Sequence, residues 1–331
     1  MSATPTPLSR RMIAAAVLVP VLAALALWAF AWPAARTAPH DLPLGVAGPA
    51  AATAHVQERL EQREGAFEIH RYDDEAAARA AIEDRTVYGA VVVGESGPRL
   101  LTASAASPVV AQLLQQAVAE QAAGGAQVRT VDVVAAPEED PRGAALTASV
   151  LPLALAGIAA GGVVMMTGLR GARAATALVG AAALTGLAAA AVGDSWLGVL
   201  TGDWWAEAAA LGLAVLAVGA TVAGLAALLG TAGTGIGAGV VMLFGNPWAG
   251  ASSAPQLLPE PAGFIGQLLP PGAAATLLRS VAYFDGAAAT GPALTLTWWS
   301  VLGLGAVLLG AMIGKRTKPA AQPARTPALA G

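Results

Sequence analysis

A chain of 331 residues that is 56% hydrophobic and only 12% charged carries about half the charge expected of a soluble domain. A net charge of −3 gives nucleic acid no electrostatic footing, and the lack of cysteine excludes disulfides, thiolate metal sites and a cysteine nucleophile. The stretch from Arg36 to Arg142 holds 16 of the 21 acids and 9 of the 18 bases, so that stretch belongs in water and most of the remainder in lipid.

Residues 1–11 read as a cytoplasmic N-terminus, because Arg10 and Arg11 precede an apolar run at 12–32. That run meets the ~20 residues a helix needs to cross a bilayer. It is longer than a secretory h-region and no small-x-small cleavage site follows it directly, so it reads as a signal anchor. Between 33 and 145 the period changes. Residues 42–47 read as a strand, 51–63 as a helix, and Phe67-Glu68-Ile69-His70 alternates like a half-buried strand. Asp73-Asp74-Glu75 opens a helix to about residue 85, its acids placed where the helix dipole favours them. A buried strand at 87–93 pairs with 99–103 across the turn 94–98; a helix starts at Ser107-Pro108 and runs to 121; a last strand covers 128–134. Strands alternating with helices predict a small α/β extracytoplasmic domain.

Beyond it lie apolar runs at 146–168, 174–192, 206–229 and 230–245, the last two divided by the cluster Gly230-Thr231-Ala232-Gly233-Thr234-Gly235. A proline-rich extracytoplasmic segment at 246–291 reads either as interfacial or as short re-entrant helices capping a path, since its prolines break regular helices. A final span at 292–313 precedes a basic, disordered cytoplasmic tail, 314–331. The fold class is thus a polytopic α-helical membrane protein with six transmembrane helices and an α/β extracytoplasmic domain between the first two. Six spans starting inside place Arg10, Arg11, Arg170, Arg173, Lys315, Arg316, Lys318 and Arg325 in the cytoplasm and every acid outside or at the outer rim. Cytoplasmic loops are enriched in Lys and Arg, so Arg10, Arg11, Lys315, Arg316 and Lys318 read as topology anchors. Gly157-x-x-x-Gly161 and Gly235-x-x-x-Gly239 set glycines one turn apart, suited to close packing within the chain or to a homodimer.

No catalytic set emerges. Gly310-Ala311-Met312-Ile313-Gly314-Lys315-Arg316 lacks the spacing and hydroxyl of a phosphate-binding loop. His40, His55 and His70 form no zinc motif, and no G-x-S-x-G elbow occurs. The expectation is a protein without enzymatic activity, cofactor or metal. Asp194, Asp203 and Glu207 bracket spans at the outer edge, and Arg279 and Asp285 fall in the loop before the last span. None sits at mid-bilayer, which argues against proton-coupled transport and permits an amphipathic or lipid-like substrate. Arg170 and Arg173 are the only charges between the second and third spans. They serve either as topology anchors or as contacts for a partner.

Two stretches carry a resemblance. One runs from Tyr72-Asp73-Asp74-Glu75 through Ile82 to Val87-Tyr88-Gly89-Ala90-Val91-Val92-Val93; the other runs from Asn246-Pro247 through Leu268-Leu269-Pro270-Pro271-Gly272 to Tyr283-Phe284-Asp285-Gly286. Together with the layout they resemble the membrane subunits of ABC type-2 exporters, in the phage-infection-protein-like branch. The resemblance implies a permease paired with itself or a related permease and powered by a separate nucleotide-binding ATPase. Arg170 and Arg173 would contact that ATPase, while Asn246, Pro247, Pro270, Pro271, Gly272, Phe284 and Asp285 would lie at an outer gate or substrate path. Arginine outnumbers lysine, with Lys315 and Lys318 the only lysines, and alanine is abundant, a bias that fits a GC-rich bacterial genome; the spans then belong in a bacterial cytoplasmic membrane. The alternative is a non-transporting receptor or scaffold that binds through its extracytoplasmic domain.

Overall fold

A computed structural model describes residues 8–94, 97–121 and 128–316. Lys318 and Arg325 lie outside the described residues, as does the tail after Arg316. Helix α1 (Leu8–Ala35) holds Arg10 and Arg11 in its opening turns and delivers the chain into a five-stranded domain. That domain follows the order β1 (Leu42–Ala47), α2 (Ala50–Glu61), β2 (Phe67–Tyr72), α3 (Glu75–Glu83), β3 (Gly89–Gly94), β4 (Gly97–Thr102), α4 (Pro108–Gln121) and β5 (Arg129–Asp132).

The sheet order is β2-β1-β3-β4-β5. β1 pairs parallel with β2 and β3, β3 and β4 form an antiparallel hairpin, and β5 returns parallel to β4. Period-2 alternation sends side chains to both faces. Leu42, Leu44 and Leu100 pack with Val110 and Leu114 of α4 on one face. Ala90, Val92 and Leu101 pack with Ala78, Ala81 and Ile82 of α3 on the other. Asp74 caps α3 by accepting the Ala77 N–H at 2.8 Å, so the acids at 73–75 perform the helix-start role their positions predict. The α3 face is covered by a helix of only nine residues. Phe284, far along the chain, completes that core at 5% exposure, and Ala254 and Leu257 close the opposite face.

The bundle follows. α5 (Ala144–Met166) is capped by Asp140, whose two carboxylate oxygens accept the Ala144 and Ala145 N–H groups at 2.7 Å each. α6 (Ala172–Ala190) continues through a π-helical turn to Trp196. α7 (Trp204–Leu229) is the axis, buried along most of its length against α5, α6 and the helices after it. Small residues permit this closeness. A Cβ on Gly157 would sit 2.6 Å from Val218 Cβ, and one on Gly161 2.6 Å from the Gly219 carbonyl oxygen. The first glycine pair is therefore spent on α7 within the chain, while Gly235 and Gly239 meet nothing within 4 Å.

α8 (Thr231–Val240), extended through a π-helical turn to Gly245, runs back along α7, with Gly237 against Val222 and Val241 against Val218. Its fifteen residues span about 22 Å, short of the ~30 Å hydrocarbon core. Where 230–245 was expected to be a full span, the chain builds a shorter apolar helix. A short 3₁₀ turn (Pro255–Leu257), α9 (Ala262–Leu268) and α10 (Pro270–Tyr283) follow, then α11 (Thr290–Arg316), with Lys315 and Arg316 in its last turn. Among the described residues, five helices are long and apolar enough to cross a bilayer: Ala16–Ala35, Ala144–Met166, Ala172–Trp196, Trp204–Leu229 and Thr290–Ile313. The molecule is a multi-pass helical membrane protein carrying a small mixed-sheet domain.

Candidate functional site at the junction of domain and bundle

The segment from Asn246 to Ala289 sits between the sheet domain and the bundle, and the two short helices α9 and α10 form its core. Pro270 and Pro271 open α10, where a missing N–H costs nothing and a fixed φ favours the first turn. α10 packs against the domain-side half of α7: Ala273 and Leu277 cluster with Ala210, Ala217 and Leu296. Its first turn reaches the middle of α7, beside Ala214 and Val218. There it meets the end of α8, since a Cβ on Gly245 would lie 2.8 Å from Pro271 Cγ. Backbone approaches backbone throughout the segment. Gly263 faces the Pro255 carbonyl, Gly266 the Trp248 carbonyl and Gly272 the Gly266 carbonyl, each too closely to admit a side chain.

The expected gate residues divide between the two ends of α10. Pro270, Pro271 and Gly272 are buried at the mid-bundle end, with Asn246 and Pro247 just past the end of α8. Phe284 is at the other end, within the domain core, and Asp285 beside it is exposed with a φ of 49°. Trp248 fixes the segment to α1: its indole N–H donates to the Ala29 carbonyl at 3.1 Å, and its ring lies edge-on to Trp28, Trp32 and Phe244. Ala38 and His40 donate their N–H groups to the carbonyls of Leu257 and Gln256, at 3.1 and 2.8 Å.

Side chains from domain and segment surround a cavity of about 210 Å³, lined by Arg85, Tyr88, Gln256, Gln267, Thr276 and Arg279 among others. Arg85 follows α3 in the left-handed region, φ 60°, closing the helix with N–H bonds from Arg85 to Ile82 and from Thr86 to Ala81. Glycine is the usual residue there, and an L side chain costs about 1–2 kcal/mol. The Arg85 side chain reaches α10, donates to the Thr276 carbonyl at 3.1 Å and to the Ser280 hydroxyl, and lies 5.2 Å over the Phe284 ring. Burial pulls its guanidinium down to about 10, with Tyr88 opposing and Arg279 reinforcing the shift, so it stays cationic at neutral pH. Burial likewise pushes the Tyr88 hydroxyl up. Arg279, 6% exposed, donates to the Ala251 carbonyl at 3.0 Å.

Two other recesses flank the bundle. A groove of about 380 Å³, almost wholly apolar, runs between α5, α6 and α10 past Leu146, Leu153, Ala189 and Leu278. At the end away from the sheet domain, about 330 Å³ opens beside Leu169, Arg170, Ala227 and Gly310. Arg170 lines it; Arg173 stands in the first turn of α6; both are exposed. Glu207, read from sequence as a rim residue, is fully buried in the first turn of α7, where Oε1 accepts the Gly202 N–H at 2.8 Å and Oε2 has no partner.

No protein-family model, curated protein or solved structure matches the chain. Among the described residues no group of three or more His, Asp or Glu side chains converges on a metal-sized site. Arg85 and Arg279 are the functional candidates that sequence reading missed. Arg85 looks like one base on an amphipathic helix, and Arg279 like a base in a loop. The available signal was α10 itself: Ala273–Tyr283 carries a helical apolar period in which Arg279 falls between Leu278 and Ser280.

Proposed function

We propose that the chain is the membrane-spanning permease subunit of an ABC-type exporter, moving an amphipathic or lipid-like substrate outward with energy from a separate ATPase. The observation that carries this reading is the break between α8 and α10. Non-helical backbone at membrane depth persists only under protein cover or along a path, and interrupted helices commonly mark the substrate route of transporters. Here two helix ends abut at Gly245 and Pro271 beside the middle of α7. In this reading α8 and α10 are stacked halves of one crossing, about 22 and 21 Å long, which supplies the sixth span. The basic residues at 10–11, 170–173 and 315–316 then share the cytoplasmic side, and the sheet domain stands outside. The groove beside α10 supports an apolar moiety on the substrate, and the exposed Arg170, which lines the recess at the other end, and Arg173 near it in sequence support a docking role.

The test is purification of the tagged full chain from its native membranes in mild detergent, with every companion identified. A stoichiometric nucleotide-binding ATPase is the expected outcome, lost when Arg170 and Arg173 are both replaced by lysine, which keeps the charge but removes the bidentate fork. Recovery of the chain without an ATPase sinks the exporter reading. A cleft of about 260 Å³ in the sheet domain, between α2 and α4 and lined by Leu60, Phe67, Leu114 and Arg63, favours the receptor alternative in that event.

A further inference from the structure

Arg85 of the sheet domain and Arg279 of α10 line one cavity. The ion pairs of the described residues join Glu75 to Arg79 and Arg99, and Glu68 to His70; none involves Arg85 or Arg279. No aspartate or glutamate lines the cavity. Three of the neutral side chains around it already bond to each other or to backbone. Tyr88 donates to Gln256 Oε1 at 2.9 Å, Thr276 donates to Gln267 Oε1 at 2.7 Å, and Gln267 Nε2 donates to the Ala249 carbonyl at 3.0 Å. Arg85 spends donors on the Thr276 carbonyl and the Ser280 hydroxyl, and Arg279 spends one on the Ala251 carbonyl. A guanidinium carries five N–H donors in a planar fork. Two positive charges, the buried Arg279 and the half-buried Arg85, therefore line one cavity with N–H donors to spare and no acid in its lining.

Burying a charge is costly unless it is paired, and two like charges sharing a site compound that cost. An oxyanion answers both deficits: it neutralises the pair and accepts several N–H groups at once, which is the chemistry arginine forks recognise best. The space is ample, since one water needs roughly 10–15 Å³ of such volume and this cavity has about 210 Å³. We infer that the cavity between the sheet domain and α10 is a binding site for a phosphoryl oxyanion, held between Arg85 and Arg279. Its source is either free phosphate or the headgroup of an anionic phospholipid, for both present the same oxygens. Because the two arginines come from different parts of the fold, the bound anion would clamp the sheet domain onto α10. The inference does not depend on export or on an ATPase.

The experiment uses the full chain in a neutral detergent at constant ionic strength. Thermal unfolding is followed by tryptophan fluorescence, and binding by calorimetry. Inorganic phosphate is titrated in one arm and phosphatidylglycerol in mixed micelles in the other, with chloride and phosphatidylcholine as the matched controls. The expected result is saturable binding of one probe and a raised unfolding temperature. Arg85→Gln and Arg279→Gln should each weaken binding at least about tenfold, as loss of a charge-assisted contact implies, while Arg129→Gln, an exposed position, should not change it. Phosphate binding would identify a soluble oxyanion, and phosphatidylglycerol binding alone a headgroup. Absence of saturable binding of both probes to the wild-type chain overturns the proposal whether or not the variants fold. Wild-type affinity retained by both glutamine variants overturns it as well.

Discussion

The glycines of the bundle differ in what surrounds them, and that difference sets what each substitution does. Gly303 of α11 faces α7 so closely that a Cβ would lie 2.5 Å from the Ala220 carbonyl oxygen and 2.6 Å from Thr221 N. Both neighbours are backbone of the central helix and have no rotamer by which to yield. Gly235 of α8 has nothing within 4 Å of the same position. Gly303→Val should therefore push α11 off α7 and destabilise the chain by about 1–3 kcal/mol, the usual range for overpacking. Gly235→Ala should leave packing unchanged and add about 1 kcal/mol through helix propensity. Thermal midpoints of the two variants in one detergent would move in opposite directions. Equal midpoints would mean that α7 and α11 are not pressed together as the structure has them. The motif Gly-x-x-x-Gly looks the same at 157–161, packed on α7, and at 235–239, open, in the sequence. Only the neighbours, which the sequence does not name, separate a packed pair from an open one.

At the level of elements, the sheet domain was largely legible and the junction was not. Each strand and helix of the domain is local: alternation marks Phe67–Tyr72, Asp74 marks the start of α3, and β3 and β4, neighbours in sequence, pair antiparallel. The junction depends on distant partners. Phe284 reads as a loop aromatic, yet it fills the face that nine-residue α3 leaves uncovered. The run 230–245 is apolar throughout, and nothing in its composition says that it ends half-way along α7 against another helix. That meeting has a direct test. A Cβ on Gly245 lies 3.8 Å from Pro271 Cβ, which matches the mean Cβ separation of a disulfide. The chain has no cysteine of its own. The pair Gly245→Cys and Pro271→Cys should then cross-link under mild oxidation, seen as a mobility shift reversed by reductant. A control pair, Gly235→Cys with Pro271→Cys, should remain reduced, because it sits ten residues earlier on α8. Failure of the first pair to cross-link would separate α8 from α10 and remove the composite crossing.

For the whole molecule the question is which end of the bundle faces which solvent, and how often the chain crosses. The sheet domain stands at one end. The connection between α5 and α6 stands at the other, where a Cβ on Gly171 would be 3.3 Å from Ala311 near the close of α11. The α5–α6 connection and the last turns of α11 thus share an end, and the chain must pass from Leu229 to Thr290 between the two ends. If α8 and α10 together make that passage, both ends of the chain lie opposite the sheet domain, and the enrichment of bases in cytoplasmic loops would put those ends inside. The absence of native cysteine makes the orientation measurable one site at a time. Gln57→Cys and Gln115→Cys, on helices α2 and α4 of the sheet domain, should react with an impermeant thiol reagent in intact cells. Ala172→Cys, exposed at the start of α6, and Ala320→Cys should react only after the membrane is permeabilised. Labelling of 57, 115 and 320 with 172 protected would mean an odd number of crossings, so that the α8–α10 stack turns back before reaching the far side. Labelling of 172 and 320 with 57 and 115 protected would invert the molecule. Only the pattern in which the sheet domain reacts and both 172 and 320 are shielded fits a six-crossing chain whose arginine-bearing loop and basic end lie together, where an ATPase could engage them.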